Sequence, residues 1–169
     1  MIEYWDIYDE NRNKTGRIHR RGDEMQSGDY HLVIHVCIFN SKNELLIQRR
    51  HPDKIGWPGI WDISAAGSAL QDEDSRMAAI REVKEELGIE INLDGLRPHF
   101  TINFDQGFDD YWFIEQEIDL KDITLQLEEV VDAKWVKEDE LIKLLEAGQF
   151  IPYWFGANIF KIRKLNGSF

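Results

Sequence analysis

Apolar residues recur at alternate positions in several short stretches and at helical spacing in two longer ones. Residues 4–8 (YWDIY) are aromatic and extended, residues 11–15 form a polar turn and residues 16–19 return, which predicts an N-terminal hairpin. The run "DYHLVIHVCIFN" is dense in β-branched and aromatic side chains and gives the strongest strand signal. A tight connection, "SKN", leads to another strand in "ELLIQRR". The prolines and glycines of "HPDKIGWPGI" stop regular structure, and "WDISAAG" is short and extended. Residues 74–87 read as the clearest helix. Met77, Ala78, Ile80, Val83 and Leu87 supply its apolar side, Asp72 or Asp74 caps it, and Gly88 stops it. Further strands are expected in "HFTINF", in "DDYWFIEQEI" after a turn at "DQG", and in "VVDAKWV". "KEDELIKLLEAG" predicts a second helix and "YWFGANIFKIRKLN" a last one, bent near Gly156. Strands outnumber helices, and helices separate some of them. The expected class is α/β (α+β), a mixed sheet with helices on its faces.

The 169 residues, 43% of them hydrophobic, suffice for one domain with a real core. Within it, residues 1–28 read as the hairpin extension, 29–148 as the core and 149–169 as a C-terminal helical segment. Charge narrows the partners: 20 basic against 32 acidic side chains give −12, which argues against duplex nucleic acid. The single cysteine, Cys37, lies in an apolar run, so no intramolecular disulfide forms and a reducing compartment is expected. It reads as a small buried hydrophobe. The first residues carry acids and no apolar stretch of signal-peptide length, and no run approaches membrane-spanning length. The expectation is a soluble cytoplasmic protein with no membrane partner; a homodimer is compatible with such a chain.

The candidate chemistry lies in the first helix. Glu82, Glu85 and Glu86 stand at i, i+3 and i+4, and at roughly 100° per residue all three point into one arc of about 100°. Like charges at these spacings are unfavourable, and Arg81, four residues before Glu85, relieves only part of the repulsion. A divalent cation relieves more, and magnesium prefers carboxylate oxygens and substrate phosphates. "REVKEEL" alone is more often a solvated face. Here Gly67 precedes it at the end of a probable strand, where glycine permits close backbone approach, and Glu73 stands within reach of Arg81.

Gly67, Glu73, Arg81-Glu82, aliphatic Val83, Glu85-Glu86, Gly88 and aliphatic Ile89, at these spacings, resemble a complete Nudix box. The resemblance implies a loop-helix-loop beside a mixed sheet and hydrolysis of a diphosphate linked to another group, often a nucleoside. It implies Mg²⁺ or Mn²⁺ held by Glu82, Glu85 and Glu86 with help from the Gly67 carbonyl, and Glu73 and Arg81 as braces. Glu85 or Glu86 would take the proton of the attacking water, with Glu85 favoured. Glu115, Glu117, Asp109 and Asp110 are candidate acids outside the motif. The flanks "HLVIHVCIFNSKNELLIQRR" and "GWPGIWDIS" also resemble type I isopentenyl diphosphate isomerases. The isomerase cysteine would fall near Ala65, Ala66 and Ser68, where no thiol stands, and His31 lacks its histidine partners. A non-catalytic nucleotide sensor is a third reading, set against the intact glutamates.

Arg49 and Arg50 close a strand beside the expected site and are candidate phosphate contacts; Arg17, Arg20 and Arg21 share the ambiguity. Trp57 is a candidate stacking surface, whereas Trp61 reads as core. His31 and His35 share a strand face roughly 13 Å apart and do not ligate one ion. The aromatic tail "FIPYWFGANIF" reads as sheet cover rather than pocket wall.

Overall fold

The computed structural model describes residues 2–165. The first two strands, β1 (Tyr4–Tyr8) and β2 (Lys14–Arg20), pair antiparallel as a separate two-stranded sheet. Asp9 builds their turn, its carboxylate accepting from the backbone N–H of Asn11 and Asn13 at 2.9 and 2.8 Å. Arg12 then reaches the fully buried Asp110 and ties the hairpin to the main sheet.

The main sheet has seven strands: β3 (His31–Phe39), β4 (Leu45–Arg50), β5 (Trp61–Asp62), β6 (Ala65–Ser68), β7 (Phe100–Phe104), β8 (Gly107–Glu115) and β9 (Val130–Val136). Its axis is β3, parallel to β8 and antiparallel to β6. Alternation along β3 splits the core in two. Leu32, Ile34, Val36 and Ile38 pack with Ala78, Ala79, Val83 and Leu87 of α1 (Ser75–Leu87). Cys37 and Phe39 pack on the opposite face with Leu141 of α2 (Glu138–Glu146) and with Phe150, Phe155, Ile159 and Phe160. Helices thus cover both faces of a mixed sheet, as expected from the sequence.

Two expectations need correction. The C-terminal segment is less helical than its pattern suggests. It forms a 3-10 turn (Gly156–Asn158) and the four-residue helix α3 (Ile159–Ile162), because its aromatics are spaced to plug the sheet rather than to face one side of a helix. Asn166, within the expected last helix, lies outside the described residues. The inward stripe of α1 also differs: Met77 and Ile80 are exposed, while Ala79 and Glu86 are buried with Val83 and Leu87. The small side chains of Ala78 and Ala79 let α1 lie close on β3 and β6, which rotates Met77 and Ile80 outward. The helix does begin at an Asp74 cap, which accepts from the Met77 N–H, and ends at Gly88 with φ 71°. Among the described residues no helix is long and apolar enough to cross a membrane.

Candidate active site

The C-terminal segment covers the second face of β3 around Cys37 and Phe39, and its Tyr153 ring meets His35 edge-on at 5.8 Å. Val33 and His35, further back on that face, border a cavity of about 370 Å³. Its walls are β6, the glutamate side of α1, the open end of the hairpin, the loop after β4, and Ile151 and Tyr153.

The three glutamates form a gradient from core to solvent. Glu86 borders the apolar stripe of α1 and is buried; Glu82 is 14% exposed and Glu85 51% exposed at the side chain. The Glu86 carboxylate accepts from Gln48 Nε2 at 2.8 Å and from the Ala66 N–H at 3.3 Å. Burial, then the neighbouring Glu82, push its pKa up to about 8; burial likewise pushes Glu82 up to about 7. Gly67 on β6 faces Glu82 so closely that a Cβ would fall on the Glu82 carboxylate. The glycine anticipated for close approach therefore makes room for a side chain of the motif itself.

Arg81 joins Glu73 to this arrangement. Arg81 Nε and Nη2 donate to the two Glu73 oxygens at 2.7 and 2.9 Å, and Nη2 also donates to the Ser68 carbonyl at 3.0 Å. Arg81 Nη1 donates to Glu82 and Glu85 at 2.8 and 2.9 Å. With the guanidinium between them, the acids are not gathered into a ready cage: among the described residues no set of three His, Cys, Asp or Glu side chains stands at metal-holding distances. The donor set still fits a hard cation. It offers carboxylate oxygens beside Gln48 Oε1, a buried oxygen with no hydrogen-bond partner.

The raised acids carry a pH dependence. Between their ordinary value of 4.5 and about 7 to 8, the folded state holds protons that the unfolded chain has released. Their contribution to stability is present at low pH and lost as pH rises through that window. A divalent ion bound there displaces those protons. We expect Mn²⁺ to raise Tm more at about pH 8 than at about pH 6. We also expect proton release on binding near pH 6.5, read by calorimetry in two buffers of different ionisation heat. Uptake without proton release would contradict the buried-acid arrangement.

Of the candidate substrate residues, Arg50 and Trp57 line the cavity and Arg49 does not. Strand parity explains this: Gln48 and Arg50 share the face that meets Glu86, and Arg49 points away to the Gly59 carbonyl. Arg50 stands 3.3 Å from the buried Asp62, which also accepts from the Tyr153 hydroxyl at 2.7 Å. Trp57 is half-exposed with φ 51°, a left-handed conformation rare for a bulky residue. The suggested outside acids are elsewhere. Glu115 pairs with Arg163, Glu117 accepts from the Ser41 N–H, Asp110 is committed to Arg12, and Asp109 lies 3.3 Å from His35 without lining the cavity. The acids that do reach it beyond the motif are Glu3, Asp62 and Glu129, with Lys54 paired to Glu129 and Arg21 to Glu3. Of the other arginines weighed as phosphate contacts, Arg21 lines the cavity and Arg17 and Arg20 do not. No sequence spacing marks Glu3, Lys54 or Glu129; the tertiary fold alone collects them. The tail does both jobs weighed for it, since Ile151 and Tyr153 wall the cavity while Phe150 and Phe155 cover the sheet.

The NUDIX domain family model matches residues 29–155. The chain belongs to the Nudix family. It is accordingly a hydrolase acting on phosphorus-containing acid anhydrides, from a family that generally uses divalent cations. An uncharacterised Nudix hydrolase of Listeria monocytogenes is 55% identical over 162 residues, 96% of each chain. An isopentenyl-diphosphate delta-isomerase of Salmonella paratyphi B is 30% identical, over 83% of this chain and 81% of that one. A crystal structure from Deinococcus radiodurans covers 96% of this chain and 100% of its own with TM-score 0.75 at 22% identity. The MutT protein of Methanosarcina mazei Go1 gives TM-score 0.61 at 23% identity, over 79% and 92%. These two structures share the Nudix fold with this chain.

Proposed function

We propose that this Nudix hydrolase cleaves the diphosphate linkage of a small nucleoside-diphosphate-type compound by attack of water at phosphorus. Mg²⁺ or Mn²⁺ would be held by Glu82, Glu85 and Glu86 with the Gly67 carbonyl. The observation that carries the reading is the graded row of glutamates on one cavity wall, with Arg50 and Lys54 among the other lining residues. The bound cation supplies charge neutralisation at the phosphates and a more acidic water. Glu85, the most exposed of the three, accepts the water's proton. Arg50 and Lys54 bind phosphoryl oxygens and hold the linkage in place.

Trp57 presents its ring at the cavity mouth in a strained backbone conformation, held by Arg50 Nε on the Gly56 carbonyl at 3.0 Å. Strain of this kind clusters at ligand clamps, and an indole there suits a nucleobase. Trp57→Ala is expected to raise KM for nucleoside substrates roughly tenfold with kcat little changed, in line with the worth of base–aromatic stacking. A diphosphate panel with Mg²⁺, with products identified in ¹⁸O-water, tests the reading. No turnover of any member, or unchanged KM in the Trp57 variant for the best nucleoside substrate, would overturn the corresponding part.

The likeness to isomerases raises a second reading, and the structure weighs against it. Cys37, the single cysteine of the chain, is buried in the second core, where burial pushes its thiol far above the usual value. His31 is stacked on Trp5 at 4.3 Å, and burial lowers its pKa to about 4. The retained glutamates likewise oppose a purely sensing role.

A further inference from the structure

The hairpin precedes the region matched by the family model, yet it is bonded to the loop between β6 and α1 at successive residues. The Gln71 N–H donates to the Tyr4 carbonyl at 2.7 Å, and the Asp72 N–H donates to the Asp6 carboxylate at 2.9 Å. Lys14, paired with Asp6 at 2.6 Å, donates to the Glu73 carbonyl at 3.2 Å. The middle bond falls on a strained residue: Asp72 has φ 67°, a region that side chains other than glycine rarely occupy. Such a conformation persists only where its surroundings over-determine it. From Glu73 the connection continues inward. Its carboxylate accepts from the Leu70 N–H at 2.8 Å and from Arg81, whose Nη1 holds Glu82 and Glu85.

We propose that the hairpin is a positioning element of the active site, and that Asp6 is its key residue. Asp6 fixes the loop at Asp72 and orients Lys14 onto Glu73. Glu73 then fixes Arg81, and Arg81 sets where the Glu82 and Glu85 carboxylates stand. Asp6 does not line the cavity, so it acts through this chain of contacts and not on substrate. Lys14 contributes less, because its long side chain finds Glu73 only while Asp6 anchors it. The inference rests on reading the glutamates as the divalent-ion set.

The test is Mn²⁺ affinity of the full chain by titration calorimetry, with amide hydrogen exchange across residues 69–73. Asp6→Ala is expected to weaken Mn²⁺ binding about tenfold, the order seen when groups supporting metal ligands are removed. It should also speed exchange at Asp72, and the Mn²⁺ needed for half-maximal rate should rise more than kcat falls. Asp6→Asn keeps an acceptor for the Asp72 N–H and loses the ionic hold on Lys14, so it should weaken binding by a smaller factor. It carries the same comparison if Asp6→Ala does not fold. In Asp6→Ala/Asp72→Gly the left-handed position no longer needs outside support, and affinity should recover; a merely structural loss would not be rescued. A folded Asp6→Ala or Asp6→Asn single variant with wild-type affinity would overturn the inference and leave the metal reading intact. Wild-type protein that takes up no Mn²⁺ would overturn both.

Discussion

Glu86→Gln is expected to lower kcat/KM about 10³-fold at saturating Mn²⁺, within the range that loss of a catalytic carboxylate produces, while the protein stays folded. The separation of the two effects follows from burial. Because the Glu86 carboxyl is pushed up to about 8, it is largely protonated near neutrality without metal, and a neutral amide of the same shape replaces it with little loss. The amide oxygen still accepts from Gln48 and the Ala66 N–H. Only the negative charge needed to hold a cation disappears. Tm without metal should therefore match or exceed wild type near pH 8, and the Mn²⁺-induced rise in Tm should shrink. Glu85→Gln, at the exposed end of the row, should lower kcat about 10²- to 10⁴-fold with a smaller loss of Mn²⁺ affinity. Steady-state rates and thermal shifts on the same preparations check both. A Glu86→Gln enzyme with more than about a tenth of wild-type activity would contradict the assignment.

The second large effect is expected from adding one methyl group. In Gly67→Ala the new Cβ lands on the Glu82 carboxylate, and β6 is paired to β3 along Val33–Val36 and cannot retreat freely. All three nearest atoms belong to the end of the Glu82 side chain, so the side chain gives way rather than the backbone and the stability cost should be about 1 kcal/mol or less. Glu82 must swing off its place beside Arg81, and a misplacement near 1 Å can cost on the order of 10² in rate. The expected outcome is a folded protein with weaker Mn²⁺ binding and roughly a hundredfold lower kcat/KM, checked by calorimetry and kinetics. Unchanged Mn²⁺ affinity would mean that Glu82 is not in the ion site.

The motif was legible because its spacing is local: Gly67, Glu73, Arg81 and the three glutamates lie within one short strand, the loop after it and one helix, and all but Glu73, which is bonded to Arg81, line the cavity. The hairpin and β3 were legible for the same reason. The depth of Glu86 was not. Hydrophobicity favoured Met77 and Ile80 as the inward side, and it took the close approach of two alanines to turn Glu86 inward instead. The difference between Arg49 and Arg50 was available in principle from alternation, once Gln48 is known to face α1. Glu3, Lys54 and Glu129 come from three separated segments and meet only through the sheet order, which no single stretch encodes. The outside acids were sought on and just after β8, but that strand pairs with the edge of β3 opposite β6.

The tail beyond α2 has a consequence for how this chain tolerates change in length. Phe150 and Phe155 plug the sheet, and between them Tyr153 reaches Asp62 at the cavity. One inserted or deleted residue in that stretch would shift the hydroxyl off its carboxylate and pull the rings out of register with the strands beneath them. Six consecutive positions thus carry packing and chemistry in a single ruler, and neither can drift without the other.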